Sequence, residues 1–242
     1  MSEWRGDIAD YIDREVIEDA VVRGRFELPR TAEGRYTGFV DPSGGSSDSF
    51  ALAIGHGASG ARVILDTVRE VRPPFSAEAV VMEFAKLLKS YGITRVVGDR
   101  YAGEWPWERF RLQGITSEVA DKSKSDYYVE FLPLLNSRRL ELLDNRKLVG
   151  QFAGLERRVG RGTGKDTIDH GPGGHDDLAN VVAGCMVSVA AESTHVGPLI
   201  TDEVIARMRA YRRGGSGSGW PVGGVVGPPF SISCSDVWGA GR

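Results

Sequence analysis

Three places in this 242-residue sequence put carboxylates where chemistry could use them. Asp41 ends the β-prone run from Tyr36 to Val40 and is followed by Pro-Ser-Gly-Gly. Asp99 comes just after a compact apolar run, Ile93 to Val97. Asp176 and Asp177 stand together ahead of an apolar stretch with helical spacing. Taken singly, these are turn aspartates or helix-capping acids that favour a helix dipole. Their combination asks for more, because open α/β sheets bind ligands at the carboxyl ends of their strands. If the first and fourth strands lie side by side, Asp41 and Asp99 end close together. A helix N-terminus packed over that end then brings in Asp176 or Asp177. Unneutralised carboxylates in one cleft repel unless divalent cations occupy it. Hard oxygen donors favour Mg²⁺ or Mn²⁺ over zinc. Two such ions roughly 3.5–4 Å apart can activate water and stabilise the leaving oxygen of a phosphodiester.

Basic residues cluster near the acidic helix. Lys122 and Lys124 precede a helical segment, and Arg157, Arg158, Arg161 and Lys165 stud a polar, glycine-rich stretch that reads as a β-hairpin with a flexible tip. Any one of them alone also reads as part of a solvated loop; their clustering favours phosphate contacts that would position DNA without reading its sequence. The string GRGTGKD from Gly160 to Asp166 only superficially suggests a phosphate loop. It lacks the GxxxxGK[ST] spacing and the hydroxyl residue after lysine, so no ATPase site is expected.

The elements that must position these groups follow from periodicity. Ile8, Ile12, Val16 and Ile17 predict an amphipathic helix over residues 7–22. Runs at 36–40, 50–54 and 62–71 predict an antiparallel meander. Ser76 N-caps an expected helix over 77–91, and Gly92 suits its end. Strands at 93–97, 115–119 and 139–143 alternate with helices at about 104–113 and 123–136, so the sheet is mixed and the class α/β. Leu178, Val181, Val182, Cys185, Met186 and Val189 predict a buried helix behind the acidic pair. A further helix is expected around Ile200–Met208, and the Gly/Ser/Pro-rich tail from Gly214 reads as flexible or partner-dependent.

Composition narrows the class. The 41% hydrophobic and 26% charged shares are those of an ordinary soluble globular chain. Thirty Lys and Arg against 33 Asp and Glu give a net charge of -3, so no global basic field points to nucleic acid. Cys185 and Cys234 are far apart, which argues against a disulfide framework and a cysteine zinc site. No apolar signal core opens the chain, and no run approaches the roughly 18–20 apolar residues of a membrane helix. An intracellular, non-membrane protein is expected.

The strings RYTGFVDPSGGSSDSFALAIGH, VVGDRYAG, KSKSDYYVEFLPLLNSRRLELLDNRKLVGQF and GGHDDLANVVAG, in this order, resemble the nuclease domain of phage large terminases. The likeness spans about residues 5–190. It implies a ribonuclease-H-like mixed central sheet flanked by helices, with an added β-hairpin, that cuts concatemeric double-stranded viral DNA with Mg²⁺ or Mn²⁺. Asp41 would then bridge both ions and Asp99 would be the second-strand ligand. The helix ligand would be Asp177 or Asp176, with Asp177 slightly favoured. Asp48 matches an additional acidic position near the metals, or else starts the second strand or binds the Ser43–Ser47 backbone. His175 would orient a carboxylate, water or phosphate, or else serve as a helix cap or surface residue. The resemblance divides the chain into a lead-in at 1–30, a nuclease domain at 31–192 and a C-terminal helix and tail at 193–242. A full large terminase also carries an N-terminal packaging ATPase, and this chain is expected to begin after it. Partners implied are the ATPase motor, the small terminase and the portal protein, in the host cytoplasm. A structure-selective resolvase of the same fold and a non-catalytic DNA- or portal-binding domain are the alternatives.

Overall fold

The computed structural model describes residues 8–43, 48–98, 104–158 and 166–195. Asp99, Arg161, Lys165, the helix expected around 200–208 and the tail lie outside the described residues. Strands β2 (Tyr36–Asp41), β3 (Phe50–Ala58) and β4 (Arg62–Val71) form the expected meander, with a 3-10 turn at Ser59–Ala61 between the last two. The chain continues through helix α2 (Ala77–Ser90), strand β5 (Arg95–Gly98), helix α3 (Trp105–Leu112), strand β6 (Thr116–Val119), helix α4 (Lys124–Asn136) and strand β7 (Leu140–Glu141). These strands make one six-stranded sheet in the order β6-β5-β2-β3-β4-β7. Its meander is antiparallel, while β5, β6 and β7 join in parallel, giving a mixed α/β sheet.

The parallel pairing of β5 with β2 decides the site. Gly98 lies opposite Val40, the residue before Asp41. Across the meander, Asp41 faces Ala51 and Ala51 faces Glu70. Directly opposed residues in a sheet share a face, so Asp41 and Glu70 belong to one row.

Both faces of the sheet are covered, which is why β2 and β3 read as near-continuous apolar runs. Phe84, Leu88, Trp107 and Phe110 of α2 and α3 pack with Val40, Leu52 and Ile54. On the other face lies α6 (Asp177–His195), whose Val182, Cys185 and Met186 are fully buried with Phe39 and Ala53. Two glycines let α6 approach the sheet. A Cβ at Gly184 would stand 2.6 Å from the Phe39 ring, and one at Gly55 would stand 2.2 Å from Met186. No described helix is long and apolar enough to cross a membrane.

Two elements depart from the sequence reading. The expected helix over 7–22 is instead strand β1 (Ile8–Asp10) followed by helix α1 (Arg14–Ala20), capped by the Asp13 side chain. The cause is tertiary: β1 pairs antiparallel with β8 (Leu155–Arg158), which pairs with β9 (Thr167–His170). The predicted hairpin is thus the greater part of a three-stranded sheet. Helix α5 (Arg146–Ala153) was not anticipated. Asn145 caps it, and Leu148, Val149 and Phe152 bury one side.

Candidate active site

The carboxyl end of β2 and the N-terminus of α6 meet in a cleft of about 390 Å³. Asp41, Asp48, Lys124, His170, His175, Asp176, Asp177 and Asn180 are among its lining residues. Most of these converge because α6 is laid across the sheet. Its first turn is also anchored from behind, where the backbone N–H of Ala179 donates to Oε1 of buried Gln151 at 3.0 Å. A helix N-terminus with a side-chain acceptor in place is well fixed.

Asp177, the first residue of α6, and Asp176 just before it have different surroundings. Asp176 is buried, and its Oδ2 accepts from the hydroxyl of buried Tyr128 at 2.8 Å and lies 3.0 Å from Lys124 Nζ. Asp177 is half-buried, and among the described residues its buried Oδ2 has no hydrogen-bond partner. Burial pushes the Asp177 carboxyl above the usual carboxylate range. The charges of Glu70 and Asp176 push the same way, while His175 and a hydrogen bond with Ser49 pull it down. Asp41 is held by Asn180, whose Nδ2 donates to Oδ2 at 2.8 Å.

Lys124, the first residue of α4, donates to Asp169 Oδ1 at 2.6 Å. Burial opposes its charge, but Asp176 and Asp169 outweigh that and raise its pKa. Asp169 is partly buried; burial alone would raise its carboxyl, yet Lys124 holds it below its ordinary value. Burial and the nearby Asp176 carboxylate drive the Tyr128 phenol well above its ordinary value, so it stays a hydrogen-bond donor.

The other described basic candidates, Lys122, Arg157 and Arg158, do not line this cleft. Lys122 pairs with Glu130 at 2.9 Å and lies over the Tyr127 ring. Arg157 pairs with Asp166 through Nε at 2.7 Å and lines a separate groove with Tyr11 and Ile168. Arg158 donates to the carbonyl of His170 at 3.0 Å, so it braces β9 next to the cleft. Asp48 and His175 are exposed at the rim.

Sequence reasoning missed several contributors. Asn180 follows Asp176 by one helical turn, and that spacing on a predicted helix is a readable signal. Glu70 had none, since only the strand register brings it near Asp177. Its carboxylate is held by Lys147 of α5 at 2.5 Å. Tyr128 and Asp169 also needed tertiary structure to be found.

No family model matches the sequence, and no curated protein sequence matches it either. Solved structures do match. The large terminase nuclease from thermophilic phage G20c superimposes with a TM-score of 0.57 at 17% identity, covering 68% of this chain and 93% of that one. The chain has the fold of a large terminase nuclease. The HK97 bacteriophage large terminase matches with a TM-score of 0.57 at 14% identity over 75% of this chain and 44% of that one. The nuclease domain of the large terminase subunit gp2 of bacterial virus Sf6, in a mutant form with manganese and beta-thujaplicinol, matches at 0.54 and 15% over 72% and 97%. The G20c nuclease has also been solved with bound magnesium and with bound cobalt.

Proposed function

We propose that this protein is a divalent-metal-dependent endonuclease that hydrolyses phosphodiester bonds of double-stranded viral DNA during genome packaging. The observation that carries the reading is the convergence of Asp41 and Asp177 at the end of β2, in a fold shared with terminase nucleases. The donor set fits a hard cation. Carboxylate oxygens dominate the cleft, and the buried Oδ2 of Asp177, without a hydrogen-bond partner among the described residues, is a ligand atom wanting a positive charge. That distinction favours Asp177 over Asp176 as the helix ligand. Asp99, the residue after Gly98, joins the set on the sequence's account, and Asp48 and His175 stand at the rim to orient water or phosphate.

Bound Mg²⁺ or Mn²⁺, one ion or a pair, would supply an activated water and offset charge developing on the phosphate. The chain's own residues then hold and align. Asn180 fixes the Asp41 carboxylate, the anchored first turn of α6 fixes Asp177, and the basic residues at the cleft and hairpin meet the DNA backbone. The packaging motor, the small terminase and the portal are the partners this role requires.

A plasmid-cleavage assay with Mg²⁺ or Mn²⁺ tests the reading. The wild type should nick or linearise DNA only with metal, and Asp41→Ala should abolish cutting. Equal activity in the variant would sink the site assignment, and metal-independent cutting would sink the mechanism.

A further inference from the structure

Lys124 brings a positive charge into the cleft, and the fold fixes where that charge sits. Ser123 and Asp126 form a reciprocal capping box, so the first turn of α4 is firmly set. The Ser125 hydroxyl both donates to the carbonyl of Ile168 and accepts from its N–H, each at 3.0 Å, which clamps β9 against the same turn. From this base the Lys124 ammonium reaches 2.6 Å from Asp169 Oδ1 and 3.0 Å from Asp176 Oδ2. Tyr128 donates to the same Asp176 oxygen from the buried side.

The corner so occupied has the make-up of a cation site. Asp169, His170 and Asp176 each present a ligand atom, and all three atoms lie within 4.8 Å of one another. An ammonium at hydrogen-bond distance from two of the three leaves no room for a divalent ion without bringing like charges together.

We propose that Lys124 is a resident cation of the cleft, paired with Asp169 and Asp176 so that a divalent ion is kept out of the Asp169–His170–Asp176 corner and directed to the Asp41–Asp177 side. The inference rests on the metal-dependent reading of the site and names how many ions the free protein takes. Asp176 becomes a positioning residue that acts through Lys124, which separates its role from that of its neighbour. In the absence of DNA the protein has one tight divalent site, and a second ion enters only where the Lys124 charge is removed.

Calorimetric titration of Mn²⁺ into the full chain without DNA tests this, comparing wild type, Lys124→Gln and Lys124→Arg. One tight site is expected in the wild type and in Lys124→Arg, which keeps the charge. Lys124→Gln should gain a second site at least about tenfold tighter than any weak second binding in the wild type, the low end of what loss of a neighbouring unit charge produces. Two tight sites in the wild type overturn the proposal without need of a variant. An unchanged stoichiometry in folded Lys124→Gln, checked by its thermal unfolding, also overturns it. A wild type that binds no Mn²⁺ at all fails at the earlier step and takes the metal reading with it. A purely structural lysine would lower the unfolding temperature when replaced and leave the ion count at one.

Discussion

Asn180 Nδ2 donates to Asp41 Oδ2 across 2.8 Å, tying the first turns of α6 to the last residue of β2. Asn180 is buried, so this is a fixed brace between the sheet and the helix that begins at Asp177. The Asn180→Ala protein should stay folded and lose activity. Groups that orient a metal-binding carboxylate typically matter about 10–100-fold in metal affinity or rate. Plasmid nicking rates and Mn²⁺ affinity measure this, and wild-type values for both would show that Asp41 needs no brace.

The close approach of α6 to the sheet predicts opposite outcomes at two helical glycines. A methyl at Gly184 would meet the ring of Phe39, which is itself buried and packed edge-on against Tyr127. Gly184→Ala should destabilise by about 1–3 kcal/mol, the usual cost of overpacking a filled core. Gly150, within α5, has open space around its missing Cβ. Gly150→Ala should stabilise by about 0.4–1 kcal/mol by restricting the unfolded chain. Urea unfolding of the two variants decides it, and equal shifts in the same direction would contradict the packing described.

Asp66 offers a test by pH. It is buried, its Oδ2 lies 2.7 Å from His56 Nδ1, and among the described residues its buried Oδ1 has no partner. Burial raises its pKa, and His56 and Arg25 only partly offset that. The folded value therefore lies above the unfolded one. The stability this contributes is fully present below the ordinary carboxylate range and is lost as pH rises through the folded value. Asp66→Asn, a permanent stand-in for the neutral acid, should escape that loss. The stability difference, variant minus wild type, is expected to grow as pH rises out of the ordinary carboxylate range. A difference independent of pH would rule out a raised carboxyl at this position.

These residues also show what the sequence could disclose. The meander, α2, α4 and α6 were legible because their apolar residues repeat with the period of the element and their ends carry recognisable caps, as Ser76 does for α2. The carboxylates of Asp41, Asp176 and Asp177 were legible because each sits at the end of such an element. Strand β1 was not, since Ile8 and Ile12 have helical spacing and only pairing with the distant β8 makes residues 8–10 extended. The Lys124–Asp169 pair and the row from Asp41 to Glu70 depend on which strands and helices become neighbours. Local periodicity carries no record of that.

The two arginines of β8 should separate in their effects, although the sequence offers them as one basic patch. Arg157 pairs with Asp166 and is largely exposed, free to trade a carboxylate for a DNA phosphate at little cost. Arg158 donates to the His170 carbonyl and lies 3.3 Å from Glu156, so its guanidinium braces the strand beside the cleft. Arg157→Ala should weaken duplex binding with the fold intact. Each lost phosphate contact should also flatten the dependence of log affinity on log salt by about 0.9. Arg158→Ala should lower thermal stability and cleavage together, because β9 carries Asp169 and His170 into the site. Fluorescence anisotropy across a salt series, paired with thermal unfolding, measures both. An Arg157→Ala protein with unchanged affinity and slope would remove the hairpin from the DNA path. An Arg158→Ala protein with unchanged stability would show that the brace to His170 is dispensable.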